Sequence, residues 1–294
     1  MRILTRTDVE QLLDLDACRE AMAVAMGDLS AGHAIQPLRT VEAFHDQRDS
    51  ALFMPAILAH PPVLGVKVVT IYPENHVAGI QSHHGALLLF ESEHGRPVAL
   101  VEGSSITAIR TAAVSALATE LLSRPESSVM AIVGTGVQAH SHLAALPRVR
   151  PIEEVRVWSP RAASRRQFLQ TASVPAGVHL RATDTAEEAV RGADIVSTVT
   201  SGGSPLLELA WIEPGAHINT VGSSTATTRE LDTETVAHAA LFVDCRETAL
   251  TEAGELLLPI AEGALEATHI RAEIGEVLNR TAAGRRDDAE ITLF

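Results

Sequence analysis

The feature that most constrains this chain is Gly134-Thr135-Gly136-Val137-Gln138-Ala139, which joins the apolar run Val129–Val133 to a segment of helical apolar spacing. A glycine pair spaced in this way between a strand and a helix is the G-x-G-x-x-A turn of dinucleotide-binding folds. Gly134 permits the tight turn, Gly136 lets the backbone approach a pyrophosphate, and Ala139 allows helix to pack closely on strand. Thr135, Val137 and Gln138 complete the turn, whose free N–H groups and positive helix dipole suit phosphate. Short apolar strands and helices alternate from there on. Strands are expected over 129–133, 155–158, 195–199, 217–221 and 241–243, and helices over 138–146, 162–171 and 186–191. That alternation predicts a parallel, doubly wound sheet.

The first half reads differently. Residues 8–29 have helical spacing, and an extended region contains Pro37, Arg39 and Leu52-Phe53-Met54-Pro55. β-like segments follow over 65–72, 85–91 and 97–101, with Ser92-Glu93-His94-Gly95 as a hairpin turn. A long Ala-rich helix is expected over 104–122, capped by Ser104 or Ser105 and ended by Pro125. The expected architecture is therefore α/β: a Rossmann doubly wound parallel sheet plus a smaller α+β domain for substrate binding and dimerisation. The smaller domain is assigned to 1–112, with 284–294 a candidate to rejoin it, and the Rossmann domain to 113–283.

Composition narrows the function classes. The net charge is −14, which argues against nucleic acid and anionic membranes as partners. No apolar run is read as a membrane span, and the first eight residues form no signal-peptide core, so a cytoplasmic protein is expected. Cys18 and Cys245 are the only cysteines; neither a metal cluster nor a disulfide framework is suggested. Of 23 basic residues, Lys67 alone is lysine. Where arginine serves generic charge, the one lysine marks either a position needing a compact, titratable amine or a chance survivor on the surface.

The end of the second Rossmann strand bears on the cofactor. It reads Val157-Trp158-Ser159-Pro160-Arg161, without the carboxylate that binds a ribose 2′-hydroxyl in NAD enzymes. Ser159, Arg161 and Arg165 suit a 2′-phosphate, so NADP(H) is favoured over NAD(H), the alternative being a solvated helix start. Thr200, Ser201, Val221 and Gly222 follow parallel strands and are expected to border the nicotinamide and its ribose. His140 and His142 read as ordinary surface or packing histidines.

Several segments together resemble the ornithine cyclodeaminase/mu-crystallin family over essentially the whole chain. They are Gly65-Val66-Lys67-Val68-Val69, Ser82-His83-His84-Gly85 with Leu87-Leu88-Leu89-Phe90-Glu91, Ile106-Thr107-Ala108-Ile109-Arg110-Thr111-Ala112-Ala113, the glycine turn, Pro214-Gly215-Ala216-His217-Ile218-Asn219, and Arg229-Glu230-Leu231-Asp232. The resemblance implies that Lys67 lies at the substrate, that Arg39 and Arg110 bind its carboxylate, and that the protein is a homodimer. From the residues alone, both arginines would read as surface ion-pair partners. Thr107, Arg110 and Thr111 share a helix face by spacing, which could serve both carboxylate and cofactor.

Two departures from ornithine cyclodeaminase steer the reading toward the mu-crystallin branch. Ser224 stands where that enzyme has an acid/base Asp, and Leu52 where it has a Glu suited to a cationic side chain. Leu52, Phe53, Met54 and Tyr72 are expected to form part of an apolar side-chain pocket. The family also implies a further helix beyond the segment matching Ile291-Thr292-Leu293-Phe294, packing back on the first domain; the sequence ends there. The expected activity is hydride transfer to or from an α-imino or cyclic ketimine carboxylate held by Arg39, Lys67 and Arg110. The alternatives are an ornithine cyclodeaminase using NAD as internal oxidant and a non-catalytic cofactor- and ligand-binding protein.

Overall fold

In the computed structural model, which describes residues 1–46 and 48–294, the chain divides into two units, Met1–Arg110 and Thr111–Phe294. The first contains β1 (Arg2–Leu4), α1 (Arg6–Leu12), α2 (Leu15–Ser30), β2 (Thr40–Phe44), β3 (Asp49–Ala59), β4 (Pro62–Ile71), β5 (His83–Glu91), β6 (Pro97–Glu102) and the start of α3 (Gly103–Leu122). Its strands form one six-stranded sheet in the order β1-β6-β5-β4-β3-β2, antiparallel except for the β1–β6 pair. The β5–β6 turn falls where the sequence predicts it. The Glu91 carboxylate fastens it, accepting the N–H groups of Glu93, His94 and Arg96.

Two local expectations need correction. The helical spacing over 8–29 is not one helix. Leu13 is extended, and Asp14 caps a second helix by accepting the N–H groups of Asp16 and Ala17 at 3.1 and 3.2 Å. A cap satisfies N–H groups that have no partner within the helix, and here that outweighs an unbroken apolar stripe. Nor do Ser104 and Ser105 cap α3. The Glu102 carboxylate does so, accepting their N–H groups at 2.7 and 2.9 Å. α3 is also long and apolar enough to cross a membrane by length and composition, contrary to the sequence expectation, with a mean hydropathy of 1.2. More than half of that stretch is buried within the protein, and Ala112, Ala113, Ala116, Leu117, Ala118 and Leu122 are core residues.

The second unit contains β7 (Val129–Val133), α4 (Val137–Ala145), β8 (Glu154–Trp158), α5 (Ala162–Thr171), β9 (His179–Ala182), α6 (Ala186–Val190), β10 (Ile195–Thr198), β11 (His217–Thr220), α7 (Thr233–His238), β12 (Ala240–Val243), α8 (Arg246–Glu252), α9 (Gly254–Ala261), β13 (Ile270–Glu273), α10 (Ile274–Leu278) and β14 (Thr292–Leu293). Its eight strands are parallel, in the order β13-β12-β14-β11-β10-β7-β8-β9. The strand order reverses between β7 and β10, the crevice position at which doubly wound sheets bind ligands. Met130, Ala131, Ile132 and Val133 are fully buried, as are all four residues of β10. Continuous burial is what a parallel sheet covered on both faces requires.

The expectation that 284–294 rejoins the first domain is not met. β14 is inserted between β11 and β12, pairing Thr292 with His217 and with Ala240. His217 Nδ1 lies 2.9 Å from Thr292 Oγ1, and the Arg285 guanidinium bonds the carbonyls of Leu122 and Ala216. These contacts anchor the terminal segment in the second unit.

Candidate active site

Lys67 lies midway along β4, opposite Met54 on β3 and Leu87 on β5. Directly paired residues of an antiparallel sheet share a face. Leu52, opposite Val69, is therefore on the Lys67 side and is buried at 6% exposure. Phe53 alternates to the other face. Tyr72 stands just past β4, with its ring edge-on to Phe44 and His45 at 5.9 and 6.5 Å. Of the four expected pocket residues, the sheet thus gives Leu52 and Met54 to the lysine's face.

Arg39 precedes β2 and Arg110 lies on α3; both are half-buried, as is Lys67. Both guanidinium groups are close enough to act on the Lys67 amine. Burial, then Arg110, then Arg39 pull the Lys67 amine down from its ordinary 10.5 to about 8. Burial disfavours the ammonium, and two like charges add to the effect. Cys18, buried on α2, also feels Arg110: burial raises its thiol pKa and the guanidinium opposes that. The result is a concentrated positive site in an acidic protein, suited to a small carboxylate. Thr107 donates its hydroxyl to the Gly103 carbonyl at 2.8 Å, a bond internal to the helix.

In the second unit, Gly134 has φ +129° and donates its N–H to the Trp158 carbonyl at 2.8 Å. A Cβ there would lie 2.7 Å from the Val199 carbonyl oxygen, so this turn requires glycine. Gly136 differs. Its φ of −84° is ordinary, and nothing lies within 4 Å of where its Cβ would be. It caps α4 with no side-chain hydrogen bond, beside exposed Val137 and half-buried Thr135 and Gln138. Ala139 is fully buried against the sheet. The buried Thr111 hydroxyl has no hydrogen-bond partner among the described residues. An open, uncapped helix N-terminus fits a dinucleotide pyrophosphate. His142 is a packing residue, fully buried and bonded to Ser115 Oγ and the Gln138 carbonyl. His140 packs on Phe168.

The two arginines near the end of β8 are not equivalent. Arg165 donates to the Ser159 carbonyl at 2.7 Å and pairs with Asp184 at 3.2 Å. Arg161 is exposed and bonds only Ser164 Oγ, with no carboxylate partner among the described residues. Asp184 was not anticipated, because it lies beyond β9, far from the fingerprint in sequence.

Thr200 and Gly222 stand two residues past β10 and β11, with exposed Ser201, half-buried Val221 and exposed Ser224 beside them. The Glu230 carboxylate joins them, accepting Thr200 N–H at 2.8 Å, Thr200 Oγ1 at 2.6 Å and Gly222 N–H at 2.7 Å. Behind it, burial pushes the Glu255 carboxyl up to about 7. Sequence reading named the Arg229-Glu230-Leu231-Asp232 segment but gave neither glutamate a role.

The family model for ornithine cyclodeaminase/mu-crystallin proteins matches residues 1–294. The chain belongs to the ornithine cyclodeaminase/mu-crystallin family. Among relatives, it is 35% identical over 295 residues to a Δ1-pyrroline-2-carboxylate reductase of Bacillus cereus, covering 100% of this chain and 90% of that one. It is 41% identical over 248 residues to mouse ketimine reductase mu-crystallin, covering 84% and 76%. A solved structure of Thermococcus litoralis Δ1-pyrroline-2-carboxylate reductase in complex with NADH and L-proline matches with a TM-score of 0.96 and 37% identity. That match covers 100% of this chain and 91% of the other. These are imine reductases within the family, the branch toward which Ser224 and Leu52 steer the sequence reading.

Proposed function

We propose that this member of the family reduces a cyclic α-imino carboxylate to the amino acid, and runs the reverse oxidation. It is an NAD(P)-dependent oxidoreductase by family. The observation that carries the substrate reading is the trio of Lys67, Arg39 and Arg110 within the first unit. The two guanidinium groups hold the carboxylate, and a held carboxylate fixes the imine carbon in place, which is the orientation part of catalysis. When bound, the nicotinamide supplies or accepts the hydride. Lys67, with its pKa near 8, is mostly protonated at neutral pH yet acidic enough to give a proton to the imine nitrogen. Leu52 and Met54 on the same face suit an apolar ring.

A cationic ornithine side chain finds no carboxylate at Leu52, and Ser224 cannot act as a carboxylate base. The deciding experiment incubates the protein with Δ1-pyrroline-2-carboxylate and NADPH or NADH, and separately with ornithine and NAD. Reduced cofactor should be consumed in the first mixture, with no ammonia released in the second. Ammonia from ornithine without net change in cofactor would establish the lyase instead.

The acid role of Lys67 fixes the sign of the pH dependence. A lysine depressed to about 8 loses its proton as pH rises through that value. We expect kcat/KM for imine reduction to be level below pH ~8 and to fall about tenfold per unit above it. A rate that stays level to the ordinary lysine range would remove Lys67 as the acid.

NADPH is the proposed cofactor. Arg161 supports this choice, since among the described residues no carboxylate neutralises it, whereas Arg165 is engaged by Asp184. Arg161→Ala should weaken NADPH binding about tenfold, roughly one charge-assisted contact, while NADH changes less than about twofold. Equal effects on both would assign Arg161 to the surface. A homodimer is proposed as well. The sheet face opposite Lys67 leaves Phe53, Ile57 and Leu64 about 40% exposed, an apolar surface suited to a second copy.

A further inference from the structure

The loops after β10 and β11 meet at one carboxylate. Glu230 is fully buried, and its three bonds from Thr200 N–H, Thr200 Oγ1 and Gly222 N–H all go to these two loops. Among the described residues no basic side chain pairs with it. A buried carboxylate without a counter-ion depends on such donors to replace its lost hydration. The approach is close. A Cβ on Gly222 would lie 2.1 Å from the Thr200 carbonyl oxygen and 2.4 Å from Glu230 Oε1, so only glycine lets the loops converge on the carboxylate.

The clamp is itself held from behind. Glu255, 6% exposed, accepts the backbone N–H groups of Glu230 and Leu231 and the hydroxyl of Thr220, the last residue of β11. The Glu230 carbonyl accepts the N–H groups of Leu206 and Leu207, so the residue is fixed at both ends. Thr200 and Gly222 lie at the C-terminal edge of a parallel sheet, where doubly wound folds bind their ligands. The glycine turn after β7 reaches that edge separately.

We propose that Glu230 is a positioning residue: its carboxylate sets the spacing of Thr200 and Gly222, and thereby the edge that receives the nicotinamide half of the dinucleotide. The glycine turn binds the pyrophosphate independently of it. This inference rests on the dinucleotide reading above.

Glu230→Gln in the full chain is the test. An amide has one oxygen and one NH2 group, so its NH2 must face a donor, and one of the two loops is released. Calorimetry would compare NADP+ with 2′-phospho-ADP-ribose, and NAD+ with ADP-ribose, each pair differing only by the nicotinamide. In the variant, the dinucleotides should weaken at least ~tenfold while their nicotinamide-free counterparts stay within about twofold. In turnover, kcat should fall with KM for the imine nearly unchanged. Thr200→Val removes the hydroxyl that donates to Glu230 and accepts the Gly202 N–H, and leaves the Thr200 N–H bond in place; it should show the same selectivity at about threefold, and it carries the test if Glu230→Gln does not fold. Equal weakening of both members of a pair, or of neither, overturns the proposal and leaves the dinucleotide reading standing. A native protein that binds none of the four compounds overturns both.

Discussion

Lys67→Met should lower kcat/KM for imine reduction about 1,000-fold, the central range for removing a positioned general acid. The same substitution should leave the protein as stable as before or more so. The folded amine has a pKa near 8 against an ordinary 10.5. A depressed lysine costs stability where both folded and unfolded states are protonated, below about pH 8, and that cost is relieved as pH rises from 8 toward 10.5. At neutral pH the cost is on the order of 3 kcal/mol, which methionine, of similar length and uncharged, removes. Loss of activity with a level or raised melting temperature separates a chemical role from a packing one. Lys67→Arg then divides the chemistry. A guanidinium keeps the positive charge but does not give up its proton at working pH. Low kcat with unchanged KM assigns Lys67 the proton; restored kcat assigns it electrostatics alone. A non-catalytic binding protein would lose no turnover with either change, because it would have none.

What the sequence could reveal depended on how local the physics was. The β7–turn–α4 unit was legible because glycine geometry, apolar strand and helix start lie within seventeen residues, Val129–Ala145. α5 was legible to its ends. Lys67 stood out because every other basic residue is arginine. Its neighbours Arg39 and Arg110 came only through the family resemblance, not from local pattern, since they reach it only once the sheet and α3 have formed. The helix break at Leu13 was hidden by apolar spacing that runs on through it, although Asp14 carried a capping signal. β14 was out of reach for a different reason. Two residues enter a sheet between strands formed some fifty and seventy-five positions earlier, and nothing in Thr292-Leu293 names those partners. Glu230 and Glu255 were silent too. Glu255 opens α9, where a glutamate reads as a partner for the helix dipole. Only the fold shows both carboxylates buried, with Thr200 and Gly222 bonded to one of them.

Gly136→Ala should abolish most dinucleotide binding without disturbing the fold, and Gly134→Ala should do the reverse damage first. At Gly136 the backbone angles suit any residue and the space around the missing Cβ is open. An alanine there costs the free protein under about 1 kcal/mol as a poorer helix cap. The open space is where a pyrophosphate must approach the backbone, so the added methyl should raise the dinucleotide Kd about 100-fold, roughly 3 kcal/mol. At Gly134, φ is +129° and the Cβ would press on the Val199 carbonyl at 2.7 Å. An alanine there strains both strand and turn, with an expected loss on the order of 3 kcal/mol and a melting temperature lower by roughly 10 °C. Calorimetric titration and thermal unfolding of the two variants, side by side, distinguish these outcomes. If Gly136→Ala binds dinucleotide as the native protein does, the space above the turn holds no pyrophosphate, however well the sheet around it resembles a nucleotide fold.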